Sequence, residues 1–237
     1  VHRYTCPAST PEGGWRFAAP SQTREKLCLN DAELHTFLTR GIALHTFFVP
    51  PPGDCDTLTW IIGSHSEVHE GTIYIDGSAT DPTEPDFTRL GYALAIVDPQ
   101  GKLVSLAHGT PPHWIKDSAG AEAWALYVAL SLSAGIPRVV TDCLSLLQQL
   151  QGGPARATSS AQPLAWTWRM IFNTLDSDGE VAELLEKLCW MPSHTSKQAL
   201  GQYSKSDGAL VTATDWRANR VVDAAAKASA SIDQPSR

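Results

Sequence analysis

Thr72-Ile73-Tyr74-Ile75-Asp76-Gly77-Ser78 is a β-branched and aromatic run that ends on a carboxylate and two small residues. Its composition predicts a short strand passing into a turn. Two more strands follow, from Gly91 to Val97 and from Lys102 to His108. Asp98-Pro99-Gln100-Gly101 between them is a turn by composition, so the three read as an antiparallel meander. Asp117-Ser118 predicts the N-cap of a helix running through Glu122, Leu126 and Leu130, which Gly135 and Pro137 stop. Arg138-Val139-Val140-Thr141 reads as a fourth strand; it ends on Asp142 and passes into an amphipathic stretch reaching Leu150. Gln162 to Leu175 is a helix candidate, Glu186 to Met191 a fifth strand closed by Pro192. The last helix starts near Thr214-Asp215 and runs to about Ser229. The order predicts an α/β fold: a five-stranded mixed sheet, three antiparallel strands then parallel strands, flanked by helices.

Upstream, the texture changes. Pro50-Pro51-Pro52-Gly53 and several turn-like stretches break any periodicity, although Trp60-Ile61-Ile62-Gly63 is a candidate further strand. Residues 1–70 read as an upstream linker or the remnant of a preceding domain, 71–232 as the folded domain and 233–237 as a tail.

The 237 residues carry a formal charge of −7 and are 43% hydrophobic, too apolar for a disordered chain. No uninterrupted apolar run is long enough to span a bilayer, and no apolar secretory core follows a basic start. Five cysteines lie far apart in no CxxC pair, which argues against a zinc cage or a disulfide framework. That usage suits a reduced, intracellular protein, cytoplasmic or nuclear rather than secreted, with no membrane partner. The acidic balance excludes a protein whose main task is capturing nucleic acid by charge. It leaves room for an enzyme that acts on nucleic acid through acidic residues and metal ions.

Four carboxylates stand out by position. Asp76 ends the first strand and Asp142 the fourth; if those strands are parallel neighbours, both face one crevice at the sheet's carboxyl end. Glu122 lies in the first turns of its helix, and Asp223 lies on the last helix four residues after Asn219. Gathered carboxylates repel unless a cation neutralises them, and oxygen-only ligands suit Mg²⁺ or Mn²⁺ rather than zinc. Singly, each residue is more readily a turn, cap or dipole residue.

The series Ile73-Tyr74-Ile75-Asp76-Gly77-Ser78, Gly91-Tyr92-Ala93, Ala121-Glu122, Thr141-Asp142, His194 and Asn219-Arg220-Val221-Val222-Asp223 resembles the type 1 ribonuclease H domain. The resemblance covers residues 71 to about 230. It implies that Asp76, Glu122, Asp142 and Asp223 bind two Mg²⁺, with Mn²⁺ as a substitute, and that His194 is a mobile catalytic histidine. It implies hydrolysis of the RNA strand of RNA–DNA hybrids by a two-metal mechanism, giving 5′-phosphate and 3′-hydroxyl ends. Gly77, Ser78, Ser118, Ala119, Gly120 and Asn219 are the candidates for contact with the nucleic acid. The upstream texture and the Val start resemble a piece of a retrotransposon polyprotein, with a reverse transcriptase as the upstream partner.

Two departures bear on this. The connection from His194 to Asp223 is long, and its extra segment from Gln198 to Thr214 is expected to form a small hairpin beside the site. The basic helical protrusion of some bacterial members is missing, since Gly152 to Ala161 carries only Arg156. Residues 71–237 hold 13 Lys+Arg against 17 Asp+Glu, so hybrid binding by this chain alone is expected to be weak and salt-sensitive. The alternatives are a catalytically silent domain of the same fold, binding hybrid or acting as a spacer, and another metal-dependent nuclease of the superfamily.

Overall fold

A computed structural model of the chain describes residues 56–64, 71–83, 88–193 and 195–232, all within a compact unit from Pro51 to Arg237. His194 and most of the 1–70 stretch lie outside the described residues. In chain order the elements are β1 (Thr59–Ile62), β2 (Thr72–Thr80), β3 (Arg89–Val97) and β4 (Leu103–Gly109). Then come α1 (Ser118–Leu132), β5 (Arg138–Thr141), α2 (Leu144–Gln151), α3 (Pro154–Ala157), α4 (Ala165–Asn173) and α5 (Asp178–Lys187). β6 (Leu188–Trp190), a 3₁₀ turn at Lys197–Ala199 and α6 (Ala213–Ile232) complete the order. No described helix is long and apolar enough to cross a membrane.

The strands form one sheet in the order β1-β4-β3-β2-β5-β6. β2, β3 and β4 pair antiparallel, whereas β2–β5 and β5–β6 pair parallel. The α/β class and the change from antiparallel to parallel strands are those expected from sequence. The sheet has six strands rather than five. The extra one is β1, antiparallel on the outer side of β4, with Ile61 and Ile62 largely exposed. It falls inside the stretch read as linker.

Two apolar layers cover the sheet. Ile73, Ile75, Leu94 and Val139 on one face pack against Trp124, Leu126 and Leu130 of α1, which is buried almost all round because Trp168 and Ile171 of α4 close its outer side. On the other face Tyr74, Ala93, Ala95 and Val140 pack against Ala218, Val222 and Ala226 of α6. Two glycines permit this spacing. A Cβ on Gly77 would run into the backbone of Ala121 and Glu122, and one on Gly91 into the backbone of Ala226 and Ala230. Neither strand could hold its helix so close with any larger residue.

The start of α6 is fixed by a reciprocal cap. Thr212 Oγ1 accepts from the Asp215 N–H at 3.1 Å, and the Asp215 carboxylate accepts from the Thr212 N–H at 2.9 Å. The same carboxylate accepts from Tyr74 Oη at 2.7 Å and pairs with Lys205 Nζ at 3.3 Å; Asp215 and Lys205 are both buried. The expected hairpin between Gln198 and Thr214 is reduced to one isolated bridge, Ser204 to Leu210. Backbone bonds from the Gly201 N–H to Val211, the Val211 N–H to Tyr203 and the Lys205 N–H to Ala209 close the segment. Side chains tie it to its surroundings: Lys205 to Asp215, Asp207 to Arg138, and Ser206 to the backbone of Trp190.

Candidate metal centre

Asp76 reaches the site because period-two alternation along β2 sends Ile73, Ile75 and Gly77 toward α1 and turns Asp76 the other way. It is the middle residue of β2, which runs on to Thr80 beside β3 instead of turning after Asp76, and it lies two residues past the last one paired with β5. Asp142 follows the last residue of the parallel neighbour β5. There the Thr141 hydroxyl accepts the Cys143 N–H at 3.0 Å, which bends the chain out of the sheet at Asp142. Glu122 arrives one turn into α1, whose start is fixed by Asp117 Oδ1 accepting the Gly120 N–H at 2.7 Å. Asp76 and Glu122 are buried, and Asp142 is half-buried.

The three carboxylates converge: one oxygen from each lies within 4.8 Å of the others. Thr141 Oγ1 donates to Glu122 Oε2 at 3.3 Å. Asp142 is held twice, by Asn219 Nδ2 on its Oδ2 at 3.1 Å and by Trp190 Nε1 on its main-chain oxygen at 2.9 Å. Asp223 lines the same cleft, of about 300 Å³, together with Gly77, Ser78, Ser118, Ser193 and Lys227. It stands outside the tight group, paired with Lys227 at 2.6 Å.

Burial pushes the Asp76 carboxyl up to about 7. A hydrogen bond with Glu122 opposes the rise, and the charges of Asp142 and Asp223 add to it. Glu122 is also pushed well above the usual range, by burial first and then by the charge of Asp76. Two buried acids beside a third are an electrostatic debt that a divalent cation would cancel. The donors are all hard oxygens, with no His or Cys joining them among the described residues, and that set fits Mg²⁺ or Mn²⁺.

The nucleic-acid candidates separate. Gly77, Ser78 and Ser118 face the carboxylate cleft, whereas Ala119 lines a different depression with Gln149 and Trp168. Gly120 is buried, its N–H bonded to Asp117. Asn219 lies in a second cleft of about 300 Å³, which shares Asp142 and Asp223 with the first and adds Met191, Thr195, Trp216 and Arg220. Sequence reasoning missed the tryptophan contacts here. Trp190 is half-buried, its indole on the main-chain oxygen of Asp142, and the indole of Trp216 donates to the Thr195 carbonyl at 2.8 Å. Trp166, at the start of α4, is 58% exposed.

No family model and no curated protein matches the chain. Solved structures resemble it at low identity. RNase H1 from the halophilic archaeon Halobacterium salinarum NRC-1 is 18% identical over 68% of this chain and 96% of that one, with a TM-score of 0.39. The PFV RNase H domain is 16% identical over 68% of this chain and 94% of that one, with a TM-score of 0.43. The Prototype Foamy Virus protease–reverse transcriptase is 18% identical over 69% of this chain and 21% of that one, with a TM-score of 0.44.

Proposed function

We propose that the chain is a ribonuclease H: an endonuclease that hydrolyses the RNA strand of RNA–DNA hybrids and leaves 5′-phosphate and 3′-hydroxyl ends. The observation that carries this is the meeting of Asp76, Glu122 and Asp142 from the middle of β2, the start of α1 and the end of β5, with Asp223 on the same cleft. Two Mg²⁺ or Mn²⁺ ions held there would activate water and neutralise charge on the departing 3′ oxygen.

The chain's own residues prepare that chemistry. Asp76 would be the most central of the residues holding the ions, because it is the carboxylate that bonds Glu122 and feels both Asp142 and Asp223. Asn219 and Trp190 keep Asp142 aimed inward. Asp223 is the loosest ligand, since Lys227 competes for both of its oxygens. Gly77, Ser78 and Ser118 line the wall where the 2′-hydroxyls of an RNA strand would lie. His194 keeps the role the resemblance gives it, proton transfer as the product departs. An upstream reverse transcriptase domain would supply the affinity that this acidic domain lacks.

The test is cleavage of an end-labelled hybrid with Mg²⁺, with and without EDTA, beside Asp76→Asn. Metal-dependent cutting of RNA alone, lost in the variant, supports the reading. A folded protein that binds hybrid and cuts nothing is a silent domain; one that prefers duplex DNA is another nuclease of the superfamily.

A further inference from the structure

Any phosphate entering the second cleft meets Asp142 and Asp223, both acidic. Among the described residues lining the two clefts the cations are Lys227 and Arg220. Lys227 is engaged by both Asp223 oxygens, at 2.6 and 2.9 Å. Arg220 has no carboxylate partner among the described residues. Its guanidinium lies over the Trp216 ring, 5.0 Å from the centroid. That ring is itself fixed, because its indole N–H is bonded to the carbonyl of Thr195, which also lines the cleft. A guanidinium over a ring face keeps N–H donors that can turn to an anion, and one anchored there loses less freedom when it closes on that anion.

We propose that Arg220, laid on Trp216, binds a backbone phosphate of the cut strand next to the one being hydrolysed, and so sets the strand's register against the carboxylates. This rests on the nuclease reading and adds to it a phosphodiester subsite beyond Asp142 and Asp223. Trp216 is the positioning residue: its hydrogen bond fixes the ring, and the ring fixes the arginine.

The experiment uses the full chain and a short RNA–DNA hybrid in which single phosphates around the cut are replaced, one at a time, by neutral methylphosphonates. The wild type should lose affinity sharply at one position beside the cut. Arg220→Gln should raise KM about tenfold with much less change in kcat, as expected when a charge-assisted contact is lost. It should also lower the salt slope of binding by about 1 and become indifferent to the methylphosphonate at that one position. Arg220→Lys should recover part of the affinity, and Trp216→Phe, which keeps a ring but no N–H, should fall between. A wild type that cuts hybrid while Arg220→Gln retains its KM, salt slope and methylphosphonate profile overturns this inference and leaves the nuclease reading standing. A folded wild type that neither binds nor cuts hybrid removes both.

Discussion

The side-chain amide of Asn219 on α6 donates to Oδ2 of Asp142 at the end of β5, across 77 residues of chain. A ligand's partner of this kind sets how the carboxylate points. Asn219→Ala should therefore lower Mg²⁺ affinity by about tenfold to a hundredfold, with the far-ultraviolet spectrum unchanged. Mn²⁺ calorimetry and the Mg²⁺ dependence of cleavage both read it, and an unaltered midpoint would remove the orienting role.

Asp142→Asn should abolish cleavage and leave the fold intact. The charge of Asp142 bears on both Asp76 and Glu122, so the neutral amide should stabilise the metal-free protein by about 1 kcal/mol, the equivalent of one pKa unit on a neighbour. Urea unfolding in EDTA measures the gain. Unchanged turnover in this variant would sink the assignment of the metal site.

Asp215 carries a pH prediction. Burial would push its carboxyl up, but the Thr212 side chain and backbone, Tyr74 and Lys205 outweigh burial and hold it below the usual range. A carboxyl lowered in the folded state adds stability above its unfolded pKa of about 3.9, and that stability is lost as pH falls through the folded value. Asp215→Asn also strands the buried Lys205 charge, so it should cost about 3 kcal/mol at pH 7. The gap between wild type and variant should close as the pH is taken below about 4. A gap constant from pH 7 to pH 2 would mean that the carboxylate charge contributes nothing.

Gly77→Ala places a methyl group against the main chain of Ala121 and Glu122. Backbone cannot move aside as a side chain can, so α1 must shift or the strand must bend. A loss of about 2 kcal/mol is expected, with cleavage falling further than stability because Glu122 rides on the displaced turn. Thermal melts beside cleavage rates separate the two, and equal losses would mean that Glu122 has not moved.

Much of the sheet was legible. The apolar runs around Ile75 and Val140 are each followed by an acid, although the strand of Ile75 continues past Asp76 to Thr80, and the N-cap Asp117 precedes an alanine-rich helix of matching length. β1 was harder, since an edge strand with two exposed isoleucines carries no alternation of buried and solvated residues. α5 went unread as a helix because it fully buries only Leu184. An apolar composition does not say which side of α4 faces out, and there Trp168 is buried while its neighbour Trp166 is exposed. Asp76, Glu122 and Asp142 could be singled out by position; the bonds of Asn219 and Trp190 to Asp142 could not, because the partners lie 77 and 48 residues away.

Ser206 has a consequence for how the molecule meets its own kind. β6 is the outermost strand on its side of the sheet, and the Trp190 N–H and C=O face away from β5. The Ser206 hydroxyl accepts that N–H at 2.8 Å, and the Ser206 N–H donates to that carbonyl at 2.9 Å. One residue thus stands in for a seventh strand and removes the template on which a passing chain could add itself. The segment between the sheet and α6 covers this edge against strand addition, whereas β1 leaves the opposite edge with Ile61 and Ile62 exposed.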